Sequence, residues 1–208
     1  MKCEHLDEFR YGNMKKFILK ISFFIALFGL MSDCFAKDSL VIYFSRTGDQ
    51  YKVGNITEGN TAIVAKIIAS QKNADIFEIK PVNDDYNLPY RELTELANDE
   101  LEKKARPKYQ GALPDLSEYK EIYIGSPIWW GNYPMIMYTV FENNDFNGKT
   151  LIPFVTHQGS GLSGLDATLK TLFPKSLVKN GIAVRGEDCQ NNRDNVKEQV
   201  LKWLKSIE

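Results

Sequence analysis

Apolar residues in this chain fall into short continuous runs, separated by stretches in which they recur every three or four positions. The runs cover residues 40–44, 74–79, 121–125, 151–156 and 182–184. Their length and their content of β-branched and aromatic residues predict strands. Helical spacing places Ile63, Val64, Ile67 and Ile68 on one face of residues 61–70, and Leu93, Ala97 and Leu101 on one face of 90–104. Further helices are predicted over 134–142, with Pro134 at the first helical position, over 165–173, and over 192–207 with Val196, Val200 and Leu204 in register. Strands alternating with helices imply parallel pairing through right-handed crossovers, in a three-layer α/β/α domain.

The runs differ in ways that predict their positions. Residues 40–44 are apolar throughout, as a strand covered on both faces must be. Asp75, Glu78 and Lys80 interrupt the second run, which therefore reads as an edge. Pro153 removes a ladder donor from the fourth run, so it is expected near that strand's beginning. No repeat, low-complexity tract or linker divides the chain, and residues 37–208 read as one domain.

The N-terminus has a different pattern. Met14-Lys15-Lys16 and Lys20 precede an apolar run over 21–31, and Cys34-Phe35-Ala36 supplies small residues before Lys37. This is the layout of a cleaved export signal over residues 1–36. Residues 1–13 carry Glu4, Asp7 and Glu8, which a signal's basic start does not, so the signal reads best from Met14. The apolar run is shorter than the roughly 20 residues that span a bilayer. A lipid-modified Cys34 is disfavoured by the adjoining Asp33. The expected location is therefore outside the inner membrane, in the periplasm, with no stable membrane span after cleavage. Cys189 alone of Cys3, Cys34 and Cys189 would then remain. It can form no intrachain disulfide and reads as a half-buried residue following a strand.

Composition narrows the partners. The 208 residues carry 26 basic and 27 acidic side chains, a formal charge of −1, with no Lys/Arg block. Such a surface has no field to attract nucleic acid. The acidic residues Asp99, Glu100 and Glu102 read as a solvated helix face.

In an open parallel sheet, ligands bind beyond the C-terminal strand ends, where strand order reverses. Three loops meet that edge. The first reads Ser45-Arg46-Thr47-Gly48 and is completed by Asn60-Thr61 at a helix start. Hydroxyls, amides and a cation at a helix N-terminus suit a phosphate. The second reads Ser126-Pro127-Ile128-Trp129-Trp130-Gly131, and its paired indoles suit stacking on a flat aromatic ligand. The alternative is that they merely cover the edge of the following helix. The third, His157-Gln158-Gly159-Ser160-Gly161, has glycines that allow close backbone approach, and His157 as a candidate ligand contact.

Together the three loops resemble those of the flavodoxin family, along nearly the whole of residues 37–208. The resemblance implies a five-stranded parallel sheet in the order 2-1-3-4-5 with FMN across its strand ends. It implies that Ser45, Arg46, Thr47, Gly48, Asn60 and Thr61 hold the phosphate. Pro127, Ile128, Trp129, Trp130 and Gly131 would line one side of the isoalloxazine. Thr156, His157, Gly159, Ser160 and Gly161 would approach the other. Two departures stand out. Eleven residues, 49–59, interrupt the phosphate loop, and Gly54-Asn55 could turn them into a hairpin carrying Tyr51, Val53 and Ile56. No aromatic residue lies between His157 and Ser163, which leaves one ring face open.

The resemblance implies electron transfer to a redox partner protein or a small-molecule acceptor. The open ring face also admits an FMN-dependent oxidoreductase acting between NAD(P)H and a quinone-type acceptor. A flavin-free module that binds a partner through its tryptophan loop is the third reading. Other chemistries fit less well. The glycines of residues 159–164 match a dinucleotide fingerprint, but His157 and Gln158 separate them from the strand. Ser160 lacks a nucleophile elbow, and the one His and one Cys of residues 37–208 provide no metal-ligand spacing.

Overall fold

The computed structural model describes residues 37–83 and 86–208; the export signal read from residues 1–36 lies outside the described residues. Lys37–Glu208 forms one body. Its parallel sheet contains β1 (Ser39–Phe44), β4 (Asp75–Ile79), β5 (Glu121–Pro127), β6 (Thr150–His157), β7 (Leu177–Val178) and β8 (Ile182–Arg185). A separate antiparallel hairpin is made by β2 (Gly48–Gln50) and β3 (Gly54–Ile56). The helices are α1 (Asn60–Lys72), α2 (Tyr90–Glu102), α3 (Met135–Asn143), α4 (Leu165–Leu172), α5 (Gly186–Asn191) and α6 (Arg193–Ser206). Helix α3 begins one residue after Pro134, which precedes it as its cap.

Sheet order is β4-β1-β5-β6, with β7 and β8 both pairing with β6. Merging these two short segments into one fifth strand gives the expected order 2-1-3-4-5. Alternation along the strands separates two cores. Leu40, Ile42 and Phe44 of β1 join Ile122 and Ile124 under α2, α3 and α4, whereas Val41, Tyr43 and Tyr123 meet α1 and α6. Every residue of β1 is buried, as its uninterrupted hydrophobicity requires. At β5, Gly125 leaves room for the ring of Phe154 opposite it; a Cβ there would lie 2.1 Å from that ring.

Pro153 lies in the middle of β6, fully within the paired strand, and not near its start. The neighbouring strand accommodates it. Leu151 pairs with Val178 and Phe154 with Ile182, so three residues, 179–181, oppose two, 152–153. Lys179 donates its amide to the carbonyl of Leu151 at 3.0 Å. The next rung would need an N–H at position 153, so the edge strand bulges where the proline cannot donate. Gly181 is required there, since a Cβ would sit 2.6 Å from the Pro153 carbonyl oxygen.

Two further expectations are corrected. Glu100 is buried, and the Tyr86 hydroxyl lies 3.1 Å from each of its carboxylate oxygens, so only Asp99 and Glu102 of that run face solvent. Cys189 is fully buried in α5, and desolvation pushes its thiol up to about 12. The Cys189 thiol is therefore expected to resist Ellman's reagent at pH 8 in the folded protein and to react within seconds in guanidinium. Rapid native labelling of Cys189, located by peptide mapping, would contradict this packing.

Candidate functional site

Chain order reverses between β1 and β5: from β1 the chain turns out to β4, then crosses back to pair β5 with the other side of β1. The C-terminal ends of β5 and β6 border a cleft of about 340 Å³, within the range of small-molecule sites. Its walls come from several elements. Pro127, Ile128, Trp129 and Trp130 form one side, Thr156, His157 and Gln158 another. Helix α2 adds Tyr90, Leu93, Thr94 and Ala97, the hairpin adds Gln50 and Tyr51, and Asn60 and Gly186 complete it.

The phosphate turn is built by close packing. Ser45 Oγ accepts the amide of Ala62 at 3.1 Å, capping the third residue of α1. Only glycine fits at position 59, where a Cβ would lie 2.1 Å from Ser45 Oγ and 2.6 Å from the Arg46 carbonyl oxygen. Helix geometry leaves the Asn60 and Thr61 amides without an intrahelical acceptor. Side chains here are partly committed within the protein. Asn60 Oδ1 accepts from Gln190 Nε2 at 2.7 Å, and the buried hydroxyls of Thr61 and Thr156 bond at 2.8 Å. Thr47 is exposed, and Gly48 turns with φ of +81° into the hairpin.

Arg46 does not project into the open turn. It is buried, and its Nε donates to the Tyr86 carbonyl at 2.9 Å, while Nη1 and Nη2 donate to the carbonyls of Asp49 and Leu88. Burial draws its pKa down, partly offset by Asp49. This guanidinium ties the phosphate turn to residues 86–88, which corrects the reading of Arg46 as a direct phosphate ligand. Its charge still lies behind the turn.

The second loop folds as a tight turn. Trp129 and Asn132 exchange amide hydrogen bonds at 3.0 and 2.9 Å, with φ of +51° at Trp130 and +74° at Gly131 between them. Two adjoining positive φ angles mark a primed turn. The indoles have different tasks. Trp129 packs edge-on against Phe44 and Tyr86, at ring-centroid distances of 5.5 and 5.2 Å. Trp130 is 56% exposed, with Nε1 donating to the Thr94 carbonyl at 2.9 Å.

In the third loop, His157 Nδ1 accepts the amides of Gly159 at 2.8 Å and Gly161 at 3.1 Å. Nδ1 is therefore unprotonated and Nε2 carries the hydrogen. The loop amides expected to face a ligand are thus taken up at Gly159 and Gly161, while Ser160 is exposed. Burial holds the imidazole below 6.5, Arg185 pushes the same way, and Asp188 opposes them. A depressed histidine pKa favours the folded, neutral form, so its stabilising contribution is present above pH 6.5 and lost as pH falls through the lowered value. An NMR titration of His157 is expected to give a midpoint below 6.5 with the Nε2–H tautomer. A midpoint above 6.5, or an Nδ1–H tautomer, would contradict the loop geometry.

Seven of the residues singled out from sequence line the cleft: Asn60, Pro127, Ile128, Trp129, Trp130, Thr156 and His157. Ser45, Arg46, Thr47 and Gly48 lie in the first loop and Thr61 at the start of α1, and Gly131, Gly159, Ser160 and Gly161 in the second and third loops; none of these lines the cleft. The contribution of α2 was not foreseen. Leu93 and Ala97 share a face with Tyr90, but nothing local shows that this face turns toward the tryptophan loop.

A profile of the flavodoxin family matches residues 39–207. The chain belongs to the flavodoxin family. Among solved structures, it is 32% identical to a candidate flavoprotein of Bacteroides uniformis, covering 78% of this chain and 97% of that one at a TM-score of 0.60. A candidate flavoprotein of Bacteroides eggerthii is 26% identical, with coverage of 82% and 97% and a TM-score of 0.60. A Lactobacillus acidophilus flavoprotein in complex with FMN is 20% identical, with coverage of 76% and 99% and a TM-score of 0.57. No curated protein matches. The cleft lies at the C-terminal ends of β5 and β6, where residues of the second and third loops meet helix α2 and the hairpin.

Proposed function

We propose that this flavodoxin is an exported FMN-binding protein that passes electrons to a redox partner protein or a small-molecule acceptor. The observation that carries the reading is one cleft at the switch point, with an anion-binding helix start at one end and an aromatic wall at the other. A protein of the same fold, from Lactobacillus acidophilus, is in complex with FMN. The residues fit the group. A turn too tight for any Cβ at Gly59 brings amides and hydroxyls together, and Gly131 and Gly161 face open space.

FMN supplies the redox chemistry, and the chain supplies binding, orientation and electrostatics. The Asn60 and Thr61 amides, with about half a unit of positive charge at the helix start, and the Thr47 hydroxyl would hold the phosphate. Trp129 and Trp130 would flank the ring. His157, held as the Nε2–H tautomer, would offer one hydrogen-bond donor from the third loop, beside the Ser160 amide.

Anaerobic stopped-flow mixing of the FMN-loaded chain with NADPH tests the carrier reading against the reductase reading. A carrier is reduced no faster than free FMN; fast, saturable reduction by NADPH would replace it with an NAD(P)H-dependent oxidoreductase. The export reading rests on the basic and apolar pattern before Lys37, and among the described residues no helix is long and apolar enough to cross a membrane. Mass spectrometry of the protein from a periplasmic fraction is expected to show Lys37 as the first residue. Full-length protein found in the cytoplasm would contradict export.

A further inference from the structure

The third loop offers a flat ligand no aromatic surface, yet the cleft is not short of one. The hairpin that interrupts the phosphate loop turns at residues 51–53, one step earlier than Gly54-Asn55, with φ of +67° at Lys52 and +71° at Gly54. That turn sets Tyr51 at the hairpin tip, where its side chain lines the cleft. Its ring stacks on Tyr90 at 5.4 Å between centroids and 24° between planes. Both rings remain open to the cleft mouth, Tyr51 50% exposed and Tyr90 40%.

The tip is fastened on both sides. Asp49 Oδ2 accepts the Tyr90 amide at 2.9 Å, placing a carboxylate at the positive end of α2. Arg46 holds the Asp49 carbonyl, and Gln50 Nε2 donates to the Thr47 carbonyl at 3.1 Å. From the third loop, Gln158 Nε2 donates to the Tyr51 carbonyl at 3.2 Å. Ordering a loop costs about 1–2 kcal/mol per residue, and these contacts offset that cost around an exposed aromatic pair instead of a buried one. Such a rigid, half-open ring is a stacking platform.

We propose that Tyr51, delivered by the hairpin and backed by Tyr90, stacks on the flavin ring and replaces the aromatic residue that the third loop lacks. This rests on the FMN reading above. Tyr51 is exposed, so truncating it leaves the fold intact.

The test is to titrate the purified chain and its Tyr51→Ala, Tyr51→Phe and Tyr51→Trp variants with FMN and with riboflavin, following affinity and bound-flavin fluorescence. Tyr51→Ala is expected to weaken both flavins about 3- to 10-fold, because the ring is common to both. Fluorescence is compared in a Trp129→Phe, Trp130→Phe background, since an indole flanking the ring would quench it alone; there the flavin bound by Tyr51→Ala should also be brighter. Phenylalanine should restore affinity but not quenching, since benzene is a poor electron donor, and tryptophan should restore both. Unchanged affinity and fluorescence in Tyr51→Ala would overturn the proposal. So would an affinity loss with unchanged bound-flavin fluorescence, which marks a purely structural tip. Failure of the unmodified chain to bind FMN would instead remove the underlying cofactor reading.

Discussion

Replacing Arg46 with alanine is expected to cost about 3 kcal/mol of folding stability, from the loss of hydrogen bonds to a charged group and the stranding of their acceptors. It is also expected to weaken FMN and riboflavin by the same factor. The guanidinium serves the carbonyls of Tyr86, Asp49 and Leu88, so its loss frees residues 86–88 from the phosphate turn and from the base of the hairpin. Tyr86 also packs against Trp129, which extends the disturbance to the ring side of the cleft. Lysine would recover little, because one ammonium cannot reach three divergent carbonyls in the way a planar fork does. Denaturant unfolding gives the stability, and parallel titrations give the two affinities. A loss at least tenfold larger for FMN than for riboflavin would show that Arg46 contacts the phosphate directly.

Gly59→Ala, by contrast, should discriminate between the two flavins. The backbone there has φ of −69°, which any residue accepts, so the effect is steric alone. A methyl group 2.1 Å from Ser45 Oγ forces that side chain away and uncaps the Ala62 amide. The Arg46 carbonyl, 2.6 Å away, belongs to the backbone and cannot step aside without opening the turn. Overpacking of this kind costs roughly 1–3 kcal/mol, and a lost cap about 1 more. Because the strain falls on the phosphate end, FMN should weaken about tenfold or more while riboflavin changes little. Wild-type affinity for FMN in Gly59→Ala would remove the phosphate turn from the site.

Much of this architecture was legible because it depends on short-range pattern. Residues 40–44 could only be a strand covered on both faces, and the charges around 74–79 marked the edge where β4 lies. The three loops were visible because glycine, hydroxyl and tryptophan clusters have few structural uses at strand ends. What stayed hidden depends on contacts distant in sequence. Arg46 looked like a phosphate ligand because two of its three carbonyl partners lie about 40 residues away, in a segment with no motif. Glu100 looked solvated because the Tyr86 hydroxyl that meets it comes from another loop. Pro153 looked misplaced because its accommodation is a bulge in a different strand. His157 was singled out, but the use of its Nδ1 to fold its own loop depends on backbone turns at Gly159 and Gly161.

Titration of the purified chain with FMN tests most directly whether the switch-point cleft holds the cofactor. Flavin fluorescence and the visible spectrum should show saturable binding of one FMN per chain, with riboflavin bound more weakly for want of the phosphate. Folded protein that neither quenches FMN nor shifts its spectrum would contradict the cofactor reading and leave the tryptophan loop as a surface for a partner.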